Sequence, residues 1–259
     1  MSPPLRDNVS RNKAPSILGR ALFVGLRTAD VFWQYSLLSR GLGLRFLQAL
    51  GARTVDAGDV TGPSHALGLK PYYQLVLLLA LGSSVKQNVH MLCVSEQELP
   101  AGSAFGISLF NTIFNSVNTI LSLWAVTSQS PASSNYTDLL YSPVSVGAGL
   151  YAIGLLVEAV SEFQRKSFKQ DPANRGKPYA GGLFSLATNI NYGAYTIWRS
   201  AYALIAGGLG WSVVTFTFFF RDFATRGVPV LEDYLTSRYG ETYKDVQRRV
   251  KYKLIPGIY

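Results

Sequence analysis

Residues 103–127, SAFGISLFNTIFNSVNTILSLWAVT, contain no Asp, Glu, Lys, Arg or His. A charge-free run of this length is what a hydrocarbon layer about 30 Å thick asks of a helix. A second such run, AYALIAGGLGWSVVTFTFFF, covers residues 201–220. The composition agrees: 48% of the 259 residues are hydrophobic and 15% charged, against about 25% charged in typical soluble domains. The sequence therefore predicts an all-α, polytopic bundle of transmembrane helices.

Working outward gives about six spans. Ile17 to Leu38 is the weakest, because Arg20, Arg27 and Asp30 interrupt it; such a segment crosses the bilayer, lies in its interface, or pairs its charges inside a bundle. Tyr72 to Val94 follows Pro71 and carries Lys86 and His90. Residues 103–127 come third, and Val144 to Glu162, after Pro143, fourth. The stretch 183–229 is too long for one span, and Gly207-Gly208-Leu209-Gly210 supplies a turn between residues 191–206 and 211–229. The chain divides into an N-terminal part, 1–70, a helical part, 71–162, and a C-terminal part, 163–259.

Charge sets the expected orientation. Loop 163–182 holds Arg165, Lys166, Lys169, Arg175 and Lys177 against Asp171 alone, and the tail 221–259 is also rich in Lys and Arg. Both should be cytosolic. Loop 128–143 has no basic residue and contains the sequon Asn135-Tyr136-Thr137, so it should be lumenal. Both termini then face the cytosol, and the expected location is the endoplasmic-reticulum membrane. Arg40, Arg45, Arg53 and Lys70 sit awkwardly in a lumenal loop. No cleavable leader is expected after the polar, basic N-terminus.

Several chemistries are disfavoured. Cys93 is the single cysteine, and His65 and His90 are the two histidines, so neither an internal disulfide framework nor a metal site is expected. The net charge of +9 lies beside apolar spans, which points to lipid headgroups rather than nucleic acid. Gly147-x-Gly149 and Gly102-x-x-x-Gly106 read as close helix packing, not phosphate loops, because neither follows a strand.

Polar residues inside the apolar runs are the candidates for function. Ser108, Asn111, Asn115, Asn118 and Ser122 fall at spacings of 3, 4, 3 and 4, on one helix face. Such a stripe either hydrogen-bonds neighbouring helices or lines a ligand cavity. Lys86 and His90, four apart, either donate to a substrate oxygen or, for Lys86, pair with an acid such as Glu158. Glu158 and Glu162 form a second pair four apart, followed by Gln164, Arg165 and Lys166.

Three blocks, SEFQRKSFKQDPANRGK (161–177), GGLFSLATNINYGAY (181–195) and RGVPVLEDYLTSRYGETYKDVQRRVKYKLIPGIY (226–259), resemble the C-terminal domain of the steroid 5-alpha-reductase family, in its broad membrane branch. The resemblance covers about residues 155–259. It implies a helical membrane fold, NADPH bound from the cytosolic side, and reduction of a carbon–carbon double bond conjugated to a carbonyl in a sterol- or polyprenyl-like lipid. It places Glu162, Gln164 and Arg165 in the family's Asp-x-Gln-Lys motif, with Asn174 and Arg175 in the loop that meets the cofactor. Gly182 and Asn191-Tyr192 match the family's Gly and Asn-Tyr elements, and Arg226 and Tyr243 would close the phosphate end. Lys86, His90 and Tyr195 are the candidate donors to the substrate carbonyl.

Two departures qualify the resemblance. Relatives carry a Glu four residues after the Asn, where this chain has Tyr195. Many also carry Arg-His-Pro where this chain has Thr188-Asn189-Ile190. The final region is also similar to that of isoprenylcysteine carboxyl methyltransferases, whose Arg-His-Pro-x-Tyr element holds S-adenosylmethionine. A methyltransferase is thus the rival enzyme reading, and a non-catalytic lipid-binding membrane protein the third.

Overall fold

The computed structural model describes residues 7, 10–131, 136–140 and 142–259. Asn135 of the sequon lies outside them. Among the described residues there are helices and isolated bridges but no strand. The long helices are α1 (Ile17–Ser39), α2 (Leu42–Ala49), α3 (Pro71–Val89), α4 (Ala101–Leu123), α5 (Pro143–Gln170), α6 (Ile190–Asp222), α7 (Val228–Tyr239) and α8 (Glu241–Arg249). Pro71 and Pro143 open α3 and α5, where a missing N–H costs nothing and the fixed φ is already helical.

Among the described residues, four segments are long and apolar enough to cross a membrane: Pro71–Val94, Ala101–Leu123, Pro143–Gln170 and Ile190–Tyr239. Length and hydropathy do not confirm the expected six. Helix α1, with Arg20, Arg27 and Asp30 along it, falls short, and 190–239 counts once. That last segment nevertheless doubles back. Gly208 has φ 74° and ψ −173°, a conformation that a Cβ would strongly disfavour. Beyond it Ser212 Oγ donates to Ser200 O at 2.8 Å, Tyr195 meets Phe219, and Tyr192 stacks on Phe223 with centroids 4.6 Å apart. The expected turn near Gly207-Gly208 is where the two arms of α6 separate.

Burial is arranged as lipid requires. Phe105, Ile113, Val146, Ile153, Leu156 and Val213 are exposed, while Arg27, Asp30, Gln34, Asn115, Asn118, Thr119 and Arg199 are buried. An apolar exterior around a polar interior suits a helix bundle in hydrocarbon. The polar stripe of α4 is a helix-docking seam. Asn115 donates to Asp30 at 2.7 Å, Thr119 to Gln34 at 2.7 Å, and Asn118 accepts from Trp211 at 2.7 Å.

Tyrosines at the other seams donate to carbonyls of neighbouring helices: Tyr72 to Ile205 at 2.8 Å and Tyr151 to Leu79 at 2.6 Å. Helix α5 meets α6 closely because a Cβ on Gly154 would lie 2.9 Å from Trp198 N. Gly147 packs in the same way, against Ile205, but Gly102, Gly106 and Gly149 have no neighbour within 4 Å. For those three the packing expectation is corrected: they face outward.

Candidate active site

The C-terminal halves of α3 and α5 and the N-terminal part of α6 meet at a cluster of ionisable groups, beside the basic segment 163–182. Lys86 and His90 lie one turn apart on α3, and Glu158 and Glu162 one turn apart on α5, so both pairs present one face. Lys86 Nζ is paired with Glu158 Oε1 and lies 3.1 Å from Glu162 Oε2. His90 Nδ1 lies 2.7 Å from the same Glu162 oxygen. Trp198 Nε1, from α6, donates to Glu158 Oε2 at 2.5 Å. Lys86 and the two carboxylates are buried, whereas the His90 side chain keeps 30% of its surface.

An almost wholly apolar groove of about 280 Å³ lies beside this cluster, between α3 and α5. Its walls are Gly82, Val85, Val89, Val94, Leu155, Leu156, Ala159 and Phe163, and its polar residues are Lys86, His90 and Glu162. With Nδ1 held by Glu162, Nε2 is the ring nitrogen of His90 left to meet a ligand. A carboxylate behind an imidazole fixes its tautomer and steadies the imidazolium once a proton arrives.

A second cavity, of about 520 Å³, lies where α5 runs into the basic loop. It is lined by Phe168, Lys177, Pro178, Thr242, Asp245, Val246, Arg248 and Arg249. Glu162 and Phe168 share α5 and are six residues apart, about 9 Å of helix. Six residues also carry the chain about 240° past one full turn, so the two cavities open on different faces of α5.

The remaining candidates are dispersed. Gln164 Oε1 accepts from Leu183 N at 3.0 Å, beside Gly182, where a Cβ would lie 2.4 Å from that oxygen. Arg165 lies over the Phe184 ring. Asn174 closes the turn after α5 on Asp171, and Arg175 is exposed. Asn191 is buried at the start of α6, behind the segment in which Thr188 N and Asn189 N donate to Tyr252 O and Lys253 O. Arg226 is paired with Asp222. Tyr243 is buried beside Val246, its hydroxyl without a partner among the described residues, and burial pushes its pKa up to about 12.

Tyr195 lines neither cavity. Its hydroxyl accepts from Arg199 Nε at 3.0 Å, and its ring packs against Trp198, Phe219 and Phe223. From sequence, Glu158 reads as an acid that could pair with Lys86, and Arg199 has no role of its own. The signal for Arg199 was a lone charge between apolar runs.

Comparison with known proteins places the chain. A family model described as a protein of unknown function, DUF1295, matches residues 101–250. "Probable O-methyltransferase ustE" of Ustilaginoidea virens is 37% identical over 238 residues, which is 90% of this chain and 84% of the relative. No solved structure matches. The chain belongs to the DUF1295 family, a steroid 5-alpha-reductase-like membrane family. The relative's name is that of a methyltransferase, not of the reductase that the sequence blocks implied.

Proposed function

We propose that the chain is a membrane-embedded O-methyltransferase that uses S-adenosylmethionine and a hydrophobic acceptor. The observation that carries this reading is the 37% identity, over nine-tenths of the chain, to a relative named as a probable O-methyltransferase. The site chemistry supports it. Transfer to oxygen needs a group that removes the acceptor's proton, and His90 backed by Glu162 is such a group. The reductase reading, by contrast, loses the Glu that its relatives place near the nicotinamide, since Tyr195 stands there.

The residues present suit the cofactor. In the cavity beside the basic loop, Lys177 and Arg249 would hold a carboxylate, Asp245 an ammonium or ribose hydroxyl, and Phe168 the face of a purine. Its volume falls within the range of about 300–1,000 Å³ common for such sites. S-adenosylmethionine supplies a methyl group on a positively charged sulfur. The chain's own task is to orient the acceptor, keep water from it and take up its proton at His90 Nε2. Glu162 orients the imidazole, and Lys86 holds both carboxylates in place. The basic loop and tail support a cytosolic placement of this end, in the endoplasmic-reticulum membrane.

The second reading, an NADPH-dependent reductase, is favoured by the retained order of the three family blocks and by the Gln164–Gly182–Leu183 contact. Thermal unfolding of the purified protein in detergent, with S-adenosylmethionine or NADPH added, separates the two. A ligand at a hundred times its Kd stabilises the folded state by about 2.7 kcal/mol. S-adenosylmethionine should raise the melting temperature and NADPH leave it unchanged. The reverse would replace this proposal with the reductase.

A further inference from the structure

We propose that helix α2 and the chain on either side of it form a binding surface for the phosphate headgroup of an anionic phospholipid. The surface lies at the end of the bundle away from the basic segment 163–182, and the inference is independent of the methyl-transfer reading. Arg20 of α1 donates to Met91 O and Gln97 O at 2.6 and 3.1 Å, and Lys166 is bonded to Cys93 O, so those residues share one end. The other end of α1 leads through Gly41, at φ 65°, into α2. Val55 N donates to Leu123 O and Ala125 N to Arg53 O, both at 3.0 Å, which ties the chain after α2 to the far end of α4.

Eight residues make α2 about 12 Å long, too short to cross a bilayer. Its two faces differ. Gly43, Leu44 and Leu47 are buried, and a Cβ on Gly43 would lie 2.5 Å from Leu123 Cδ1. On the other side Arg45 is exposed, with Phe46 at 50% and Leu50, just beyond the helix, at 68%. A short helix that turns apolar and cationic side chains outward lies in the plane of the membrane interface.

Arg40, Arg45 and Arg53 supply the charge, and all three are exposed. Arg45 Nη2 donates to Arg40 O at 2.9 Å, which holds its guanidinium at the corner from which Arg40 projects. Arg53 stands at the opposite end of α2. The acids of this end are Asp56, Asp59 and Asp138. Asp59 pairs with Lys70 at 3.1 Å, and no ion pair among the described residues engages the three arginines. A guanidinium offers a phosphate two parallel N–H···O bonds. The phosphodiester is the anionic group that a bilayer presents at this level, with acyl chains below it for Phe46 and Leu50. The basic residues that sit awkwardly in a lumenal loop thus have a partner on their own side of the membrane.

Photo-crosslinking in phosphatidylcholine nanodiscs tests this, with a trace of phosphatidylglycerol that carries a diazirine on its headgroup. Label should map to residues 40–53, whatever else it marks. Unlabelled phosphatidylglycerol in the disc should compete it away, and extra phosphatidylcholine or excess free glycerol phosphate should not. Arg40→Gln, Arg45→Gln and Arg53→Gln combined should cut labelling of this stretch at least about tenfold while melting with the wild type. Label confined to segments 163–182 and 221–259, or label on 40–53 that phosphatidylglycerol does not reduce, would overturn the inference. Equal competition by free glycerol phosphate would replace the lipid with a soluble anion and overturn it too. The competition arms use the wild type alone, so a variant that does not fold leaves the test intact.

Discussion

Two clusters of charge lie inside this bundle, and they are built differently. At the α1–α4 seam, Asp30 accepts from Arg27 at 2.8 Å, Gln34 at 2.7 Å and Asn115 at 2.7 Å, with the ion pair fully enclosed. At the α3–α5 seam, Lys86, Glu158 and Glu162 are equally interlocked, but His90 extends the network to a groove. The first cluster ties α1 to α4 through Asn115 and Thr119. The second spends the same kind of interaction on orienting a group that a ligand can reach. Burial of charge in a membrane bundle does not by itself mark an active site.

Breaking the closed cluster should have the largest effect. Asp30→Ala leaves Arg27 unpaired in the bundle and should cost about 3–5 kcal/mol, seen as a lower melting temperature or loss of a monodisperse peak in detergent. At the open cluster, His90→Gln should slow methyl transfer by about 10²–10⁴-fold. Its stability should stay within about 1 kcal/mol of wild type, because the side chain is partly exposed. Equal loss of stability from both variants would erase the distinction.

Trp198→Phe sharpens the contrast, since it removes the donor to Glu158 while keeping an aromatic ring in the core. A hydrogen bond to a charged group is worth about 1.5–3 kcal/mol, so unfolding should move by that order.

The smallest effect is expected at Tyr243. Its pKa in the folded protein is pushed up to about 12 by burial, above the unfolded value of about 10. The unfolded chain therefore loses this proton first. The stability that Tyr243 provides is complete below about pH 10 and declines as pH rises towards 12. Tyr243→Phe should flatten that part of a stability–pH curve. It should cost little at neutral pH, because the hydroxyl has no partner among the described residues.

Much of the fold was legible because its signals are local. The charge-free run 103–127, the prolines before α3 and α5, and the glycines at 207–208 each act within a few residues of themselves. The 3–4 spacing of Asn111, Asn115 and Asn118 fixed a helix face. It left open what that face meets, because Asp30 and Gln34 lie more than 80 residues away in sequence. Lys86 with Glu158 was one of two open readings, and the fold brings them together; Trp198 as the third member was invisible, since an indole in an apolar run carries no sign of its partner. The excess of glycines facing outward shows the limit of small-residue patterns: spacing records permission for close approach, not the approach. Function was the least legible, because Tyr195 and Asn189-Ile190 depart from both enzyme patterns at the positions that would have decided between them.

The most direct test of the account is transfer of label from methyl-labelled S-adenosylmethionine to solvent-extractable lipid in membranes holding the protein, compared between the wild type and His90→Gln preparations that melt alike. The account predicts labelled product from the wild type and at least about a hundredfold less from the variant. Equal rates in the two proteins, or no transfer by the folded wild type, would contradict it.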